Sequence, residues 1–412
     1  MTKSCRSCDG VLEPILDLGQ LQLSGYLRDG EPERPAAPLR LCACATCRLV
    51  QLADTTPREL LFSRYWYRSG INEVMQAELA DVVTQALTRV EIDVGDKVLD
   101  IGANDGTLLG CYVKHPVYRI AFEPAENLVE TLSYKAEEVY PAYFPDRFKE
   151  LHKKRYSGRM KIITSIAMVY AVDDLVSFLT AVADLLHPRG VWVVQFQDLA
   201  QMLDAVAFDN ICHEHLCYFS LQTFAGLLPS FGLEVIDAER RTINGGSLRV
   251  TVGHLGQHQI SPHVAELLAA EAGCQSWETL ERFPWMVSVV KSQIREIVTW
   301  CTAQGRTVDL YGASTKANTL LQVCGLTHRE VRAAWERSRE KIGRKTVATG
   351  IPIISEDAGR ADPPDALLVG IWQFRDAVIA REQAYLESGG VLILPLPRVE
   401  IVTGATVGAR VC

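Results

Sequence analysis

The 412-residue sequence predicts an α/β protein in three parts, on three observations. Short apolar strands alternate with helix-like stretches in the middle of the chain and again in its last third, as parallel sheets covered by helices require. Two Cys-x-x-Cys pairs precede both alternations, where a small metal-held module is expected. The length also exceeds what one ordinary core supports, so two or three domains follow. The parts read as 1–58, 59–239 and 240–412.

Cys5-x-x-Cys8 and Cys44-x-x-Cys47, with 35 residues between the pairs, can supply the four thiolates of a tetrahedral structural zinc site. Ordinary core thiols are the alternative. Cys42 is one thiol too many and reads as a spare, because the Cys44–Cys47 spacer matches that of the first pair. The proline-rich run Asp29–Pro38 reads as a loop between the pairs. After Tyr65-Trp-Tyr67-Arg-Ser-Gly70, the spacing of Val74, Leu79, Val82 and Ala86 predicts a helix over Asn72 to Val90. Strands are expected near Lys97–Ile101, Tyr118–Phe122, Lys161–Thr164 and Val191–Phe196. A second set is expected near Thr307–Tyr311, Ala366–Gly370 and Val391–Pro395.

Net charge is −8, with no long run of one sign and no basic stripe, which argues against nucleic acid or an anionic membrane as the main partner. A small-molecule substrate fits better. The start lacks an apolar leader, and no apolar run of about 18 residues exists to span a bilayer, so a cytoplasmic protein with its 12 cysteines reduced or metal-bound is expected.

The strand ending at Ile101 runs into Asp100-x-Gly102-x-Asn104-x-Gly106, whose glycines let backbone approach a ligand and whose following helix points its N-terminus into the same crevice. Glu123 closes the next strand, 21 residues after Gly102, where a carboxylate can accept from two ribose hydroxyls. The spacing is not Gly-x-Gly-x-x-Gly, so S-adenosylmethionine suits the turn better than NAD.

His213-Glu214-His215 lies in an apolar segment. If that segment is extended, the two histidines point one way and Glu214 the other. A histidine of ordinary pKa beside a carboxylate that orients it makes a general-base site. A metal set of Cys212, His213, His215 and Cys217 is the alternative, but it matches no His-Glu-x-x-His pattern. Farther on, Gly312, Ser314, Thr315 and Lys316 can cradle a pyrophosphate, or simply cap a helix with a solvated lysine. Trp372 can border a base, with a packed core ring as the default.

Together these motifs, with Gly245-Gly-Ser-Leu-Arg249 and Pro395-Leu-Pro397, resemble the sugar C-methyltransferase family, whose members methylate a carbon of thymidine-diphosphate (TDP) keto-deoxysugars in antibiotic biosynthesis. The resemblance covers almost the whole chain. It implies a zinc-binding N-terminal domain, a Rossmann-like class I methyltransferase domain holding S-adenosylmethionine, and a C-terminal Rossmann-like domain that helps hold the nucleotide sugar. It also implies His215 as the base; by the chemistry of carbon methylation, Glu214 would then hold and polarise the site with His213 beside it, and Tyr65 or Tyr67 would offer a hydroxyl to the oxyanion or the cofactor. Tyr67, Ser69, Gly70, Asp100, Gly102, Asn104, Gly106 and Glu123 would hold the cofactor, and Asn244, Ser314 and Lys316 the substrate. The chain departs from the family pattern at Ala167 and Ala171, where asparagine and histidine are usual, at Cys212 for tyrosine and at Asn244 for histidine. These departures leave two further readings: a relative repurposed for another natural-product acceptor by oxygen, nitrogen or carbon methylation, and a non-catalytic S-adenosylmethionine binder. A monomer or weak homo-oligomer is expected.

Overall fold

The computed structural model describes residues 4–405. The chain forms two compact units, each assembled from three segments. The first holds the chain up to Glu13, Cys42–Ala200 and Leu216–Gly273. The second holds Pro14–Leu41, Gln201–His215 and the chain from Cys274 onward.

The first unit is built on a seven-stranded sheet of β1 (Lys97–Ile101), β2 (Tyr118–Phe122), β3 (Glu138–Tyr140), β4 (Met160–Ile166), β5 (Leu186–Gln197), β6 (Leu233–Arg241) and β7 (Ser247–His254). Their spatial order is β3-β2-β1-β4-β5-β7-β6. β1 to β5 run parallel, and β7 is inserted antiparallel to both neighbours. The reversal at β1 opens a crevice at the strands' carboxyl ends, the usual ligand position in such sheets. Helix α1 (Glu73–Arg89) begins where Asn72 Oδ1 accepts the N–H groups of Val74 at 3.1 Å and Met75 at 3.4 Å. Its Met75, Leu79, Val82, Val83 and Ala86 are buried against Val98, Val191 and Val193 of the sheet. Each large apolar side chain so buried contributes about 1.5–3 kcal/mol.

Arg249 explains the Gly245-Gly-Ser-Leu-Arg249 motif. From β7 its guanidinium reaches Glu78 at 2.7 Å and Asp81 at 2.6 Å on α1, with Glu239 and Gln195 each at 3.0 Å. The helix that follows the Tyr65–Gly70 run is thereby pinned to the sheet.

The second unit carries a six-stranded sheet of β8 (Val308–Tyr311), β9 (Ala334–Glu336), β10 (Ile353–Ser355), β11 (Ala366–Val369), β12 (Val391–Leu394) and β13 (Glu400–Val402), in the order β10-β9-β8-β11-β12-β13. All are parallel except β13. Helix α2 (Trp277–Ala303) buries Leu280, Phe283, Val287, Val290, Ile294, Val298 and Cys301, a single stripe at helical spacing.

The Asp29–Pro38 loop ends earlier than expected, because a strand spans Ala36–Cys44, and Leu12–Gln22 forms a strand that the sequence did not announce. That strand is mostly half-buried or exposed and carries Asp17 and Gly19, so its pattern is faint. Between the cysteine pairs, Tyr26–Leu27 pairs antiparallel with Lys345–Thr346. No helix among the described residues is long and apolar enough to cross a membrane.

Candidate active site

The Sγ atoms of Cys5, Cys8, Cys44 and Cys47 lie within 4.8 Å of one another, with Cys5–Cys47 and Cys8–Cys44 at 3.5 Å. A zinc ion about 2.3 Å from each thiolate sets tetrahedral sulfurs about 3.8 Å apart, so this donor set fits zinc. Backbone N–H groups of Ser7, Thr46 and Cys47 donate to the sulfurs of Cys5 and Cys44 at 3.3–3.4 Å. Gly10 is required here, since a Cβ would stand 2.8 Å from Cys44 Sγ. Cys42 is buried and outside the set. Four sulfurs fill the coordination shell, which makes the site structural.

At the end of β1 the chain turns through Gly102, Asn104 and Gly106, all at positive φ. A Cβ on Gly102 would come within 3.0 Å of Met168 Cγ, so the turn needs glycine for both conformation and space. Glu123, one residue beyond β2, is 6% exposed; its carboxylate accepts Asn104 N–H at 2.7 Å and Ala125 N–H at 2.8 Å. Burial raises its pKa and those two donors pull it back. A carboxylate fixed this way keeps lone pairs for a vicinal diol, so the crevice fits the ribose of S-adenosylmethionine. Asp100 lies deeper, accepting from Thr164 Oγ1 at 2.7 Å, with burial pushing its pKa up to about 7.

The turn also grips the Tyr65–Gly70 run. Asn104 Oδ1 accepts Ser69 N–H at 3.0 Å while its Nδ2 donates to the Tyr67 carbonyl at 3.0 Å. Asp105 Oδ2 accepts Gly70 N–H at 2.9 Å. The backbone of Ser69 and Gly70 is thus spent on the turn itself. Only glycine fits at position 70, where a Cβ would lie 2.8 Å from Asp105 Oδ2. Tyr65 is held through its backbone by Asn127, and burial together with the Asp105 charge raises the Tyr67 phenol to about 12. Asp105 is a positioning group that the sequence reading passed over, although its place inside the glycine turn was a signal.

His213-Glu214-His215 belongs to the second unit and is a turn, not the extended segment considered from sequence, because His215 N–H donates to the Cys212 carbonyl at 3.0 Å. The two imidazoles are consequently drawn to different carbonyls: His213 Nε2 lies 3.1 Å from Ala37 O, and His215 Nδ1 lies 3.0 Å from Asn210 O. A carbonyl only accepts, so His215 carries its proton on Nδ1 and its lone pair on Nε2. Burial, then the Lys316 charge, lower its pKa to about 4, well below the ordinary value assumed from sequence. It is neutral at neutral pH. The Glu214 charge acts on His213, and the Asn210 carbonyl is what orients His215.

Ser314 Oγ accepts Ala317 N–H at 3.1 Å, capping helix α3 (Thr315–Cys324). Lys316, in the first turn of α3, is half-buried: burial lowers its pKa, and the charge of Asp209 raises it again. Asp209 is 1% exposed and accepts Trp372 Nε1–H at 2.8 Å. It too was missed, though an Asp-Asn pair inside the apolar run Val206 to Cys212 was a visible anomaly. Trp372 is a buried core ring. Asn244 lies in the first unit, at φ +57 in the turn between β6 and β7.

Three family models match successive parts of the chain. One described as a methyltransferase domain covers residues 71–238, one described as a C-methyltransferase C-terminal domain covers 242–397, and one whose description names zinc binding covers 5–62. A curated relative, the C-methyltransferase NovU of Streptomyces niveus, is 31% identical over 408 residues, 97% of this chain and 96% of its own. Similar solved structures include the YcgJ protein of Bacillus subtilis (13% identity, TM-score 0.33, covering 44% of this chain and 99% of that one). Another is the magnesium protoporphyrin IX methyltransferase ChlM of Synechocystis PCC 6803 (10% identity, TM-score 0.33, 43% and 78%). Both likenesses span less than half of the present chain. Matched along nearly its full length, the chain belongs to the S-adenosylmethionine-dependent C-methyltransferases with an N-terminal structural zinc site.

Proposed function

We propose that the enzyme methylates a carbon adjacent to a carbonyl, in a nucleotide-linked keto-deoxysugar of antibiotic biosynthesis with TDP as the nucleotide, and that His215 is the base. Carbon is a poor nucleophile until such a proton is removed. When bound, S-adenosylmethionine supplies the methyl group as an electrophilic sulfonium. The observation that carries the reading is His215 itself, a neutral imidazole with Nδ1 fixed on the Asn210 carbonyl and its lone pair on Nε2. Glu123 and the Gly102–Gly106 turn hold the cofactor, while the hydroxyl of Tyr65 or Tyr67 serves the cofactor or the substrate oxygen.

The test is mass spectrometry of products formed from S-adenosylmethionine and a panel of TDP-keto-sugars, alongside keto compounds that lack a nucleotide. His215→Ala should lower turnover by about 10²–10⁴ while leaving cofactor affinity unchanged. Turnover near wild type in that variant would sink the base assignment. A product methylated on oxygen or nitrogen would move the enzyme to a repurposed acceptor, the second reading favoured by Ala167, Ala171 and Cys212.

A further inference from the structure

Helix α3 packs against the short turn Phe208–Asn210 inside the second unit. That contact brings together Lys316 on the helix, Asp209 and Asn210 on the turn, and His215, whose Nδ1 rests on the Asn210 carbonyl. The Lys316 charge is felt by both Asp209 and His215. Asp209 is fixed by Trp372 through Oδ2, and its buried Oδ1 makes no hydrogen bond among the described residues. Both side-chain amide atoms of Asn210 and of Asn318, residues 1% and 2% exposed, are also without partners there. Buried polar atoms are costly to leave unpaired, so the junction is built to meet polar atoms of something bound.

We propose that Lys316 is a catalytic residue, its ammonium donating a hydrogen bond to the substrate carbonyl oxygen as that oxygen becomes an enolate oxygen, with Asp209 as its positioning residue. The proposal rests on the carbon-methylation reading above. His215 Nε2 takes the proton from the carbon beside the carbonyl and becomes an imidazolium. The C–H electron pair forms the C=C bond, and the carbonyl π pair moves to oxygen, where the Lys316 N–H meets it. The enolate carbon then forms the new C–CH3 bond as the methyl–sulfur bond of the donor breaks with its pair left on sulfur, and the carbonyl is restored. Among the described residues, Lys316 is a cation whose charge acts on His215. Cys212 offers only a weak S–H donor, its thiol kept protonated by burial. Asp209 keeps the ammonium charged in a site where burial works against it.

The experiment uses the full-length zinc-loaded enzyme with the keto-sugar that turns over. Lys316→Met should lower kcat by about 10²–10³, the loss expected for one oxyanion donor, with KM changed by about twofold or less. The same variant should suppress deuterium wash-in at the reacting carbon when S-adenosylhomocysteine is bound. Lys316→Arg should restore part of both. Asp209→Asn, nearly isosteric, should bring the alkaline limb of the kcat profile to lower pH, because the ammonium loses its countercharge. Affinity for TDP alone that collapses in Lys316→Met while kcat stays at wild type would overturn the proposal and make the lysine a diphosphate anchor. A borohydride-trapped substrate adduct on Lys316 would overturn it in favour of an imine. If His215→Ala keeps its turnover, the base assignment beneath the proposal fails, and a product methylated on oxygen or nitrogen ends the carbon-methylation reading. If His215→Ala is inactive but Lys316→Met turns over and exchanges deuterium normally, only the lysine assignment falls.

Discussion

The two units contain the same local device and use it differently. In each, a central strand ends in a glycine at positive φ and leads to a helix: Ile101 into Gly102 and Thr107, and Tyr311 into Gly312 and Thr315. In each, the neighbouring strand places a glutamate one residue past the partner of the strand end, Glu123 after Phe122 and Glu336 after Trp335. Among the described residues, the hydrogen bonds given to Glu123 come from the backbone N–H groups of Asn104 and Ala125. Glu336 instead meets Lys341 at 2.8 Å, and the same ammonium donates to the Ala313 carbonyl of the second turn at 2.9 Å, with Tyr26 OH on that carbonyl at 2.7 Å. The chain fills its second turn with its own cation and phenol, whereas the first keeps a carboxylate ready for a diol. A glycine turn followed by an acid is therefore a geometry, and the neighbouring side chains decide whether it can hold a ligand.

The strongest test of this contrast is Glu123→Gln, which should weaken S-adenosylmethionine by about 10- to 100-fold through loss of charge-assisted hydrogen bonds, measured by calorimetric titration. Unchanged affinity would erase the distinction between the two turns.

A pH profile sharpens it from the side of the base. His215 is neutral above its lowered pKa of about 4, so kcat/KM should hold between pH 7 and pH 5. An ordinary imidazole base of pKa about 6.5 would lose roughly 25-fold over the same range. The linked stability has a definite sign: with the folded pKa below the unfolded one, the unfolded chain binds more protons between about 6.5 and about 4, so stability falls as pH falls through that window. An acidic limb near 6.5 would show that His215 is not held as described.

Glu336→Gln should leave cofactor affinity unchanged and lower unfolding free energy by about 1–2 kcal/mol, because Lys341 loses its carboxylate. Denaturant titration checks the stability, and a drop in S-adenosylmethionine affinity would break the contrast. The smallest effect is expected at Ala167, which sits at φ +56 directly after β4. Ala167→Gly should raise stability by about 0.5–1 kcal/mol by relieving a left-handed alanine, read in the same titration.

Much of this molecule was legible in one dimension. The paired cysteines, the α1 periodicity, the strands at Lys97–Ile101 and Tyr118–Phe122, and the glycine turn followed by Glu123 all depend on contacts between residues close in sequence or on repeats of fixed spacing. Such local rules fix element type and turn chemistry wherever the chain lands. Tertiary structure alone decided what distant segments do to one another. It joined residues 14–41 and 201–215 to the C-terminal segment in the second unit, closed His213-Glu214-His215 into a turn, and set the Asn210 carbonyl rather than Glu214 on His215. It also set Lys316 near enough to Asp209 and His215 for its charge to act on both. The physical reason is that a buried charge or imidazole takes its pKa and its partners from whatever fills the few ångströms around it, and no spacing rule within a single stretch of sequence encodes those neighbours.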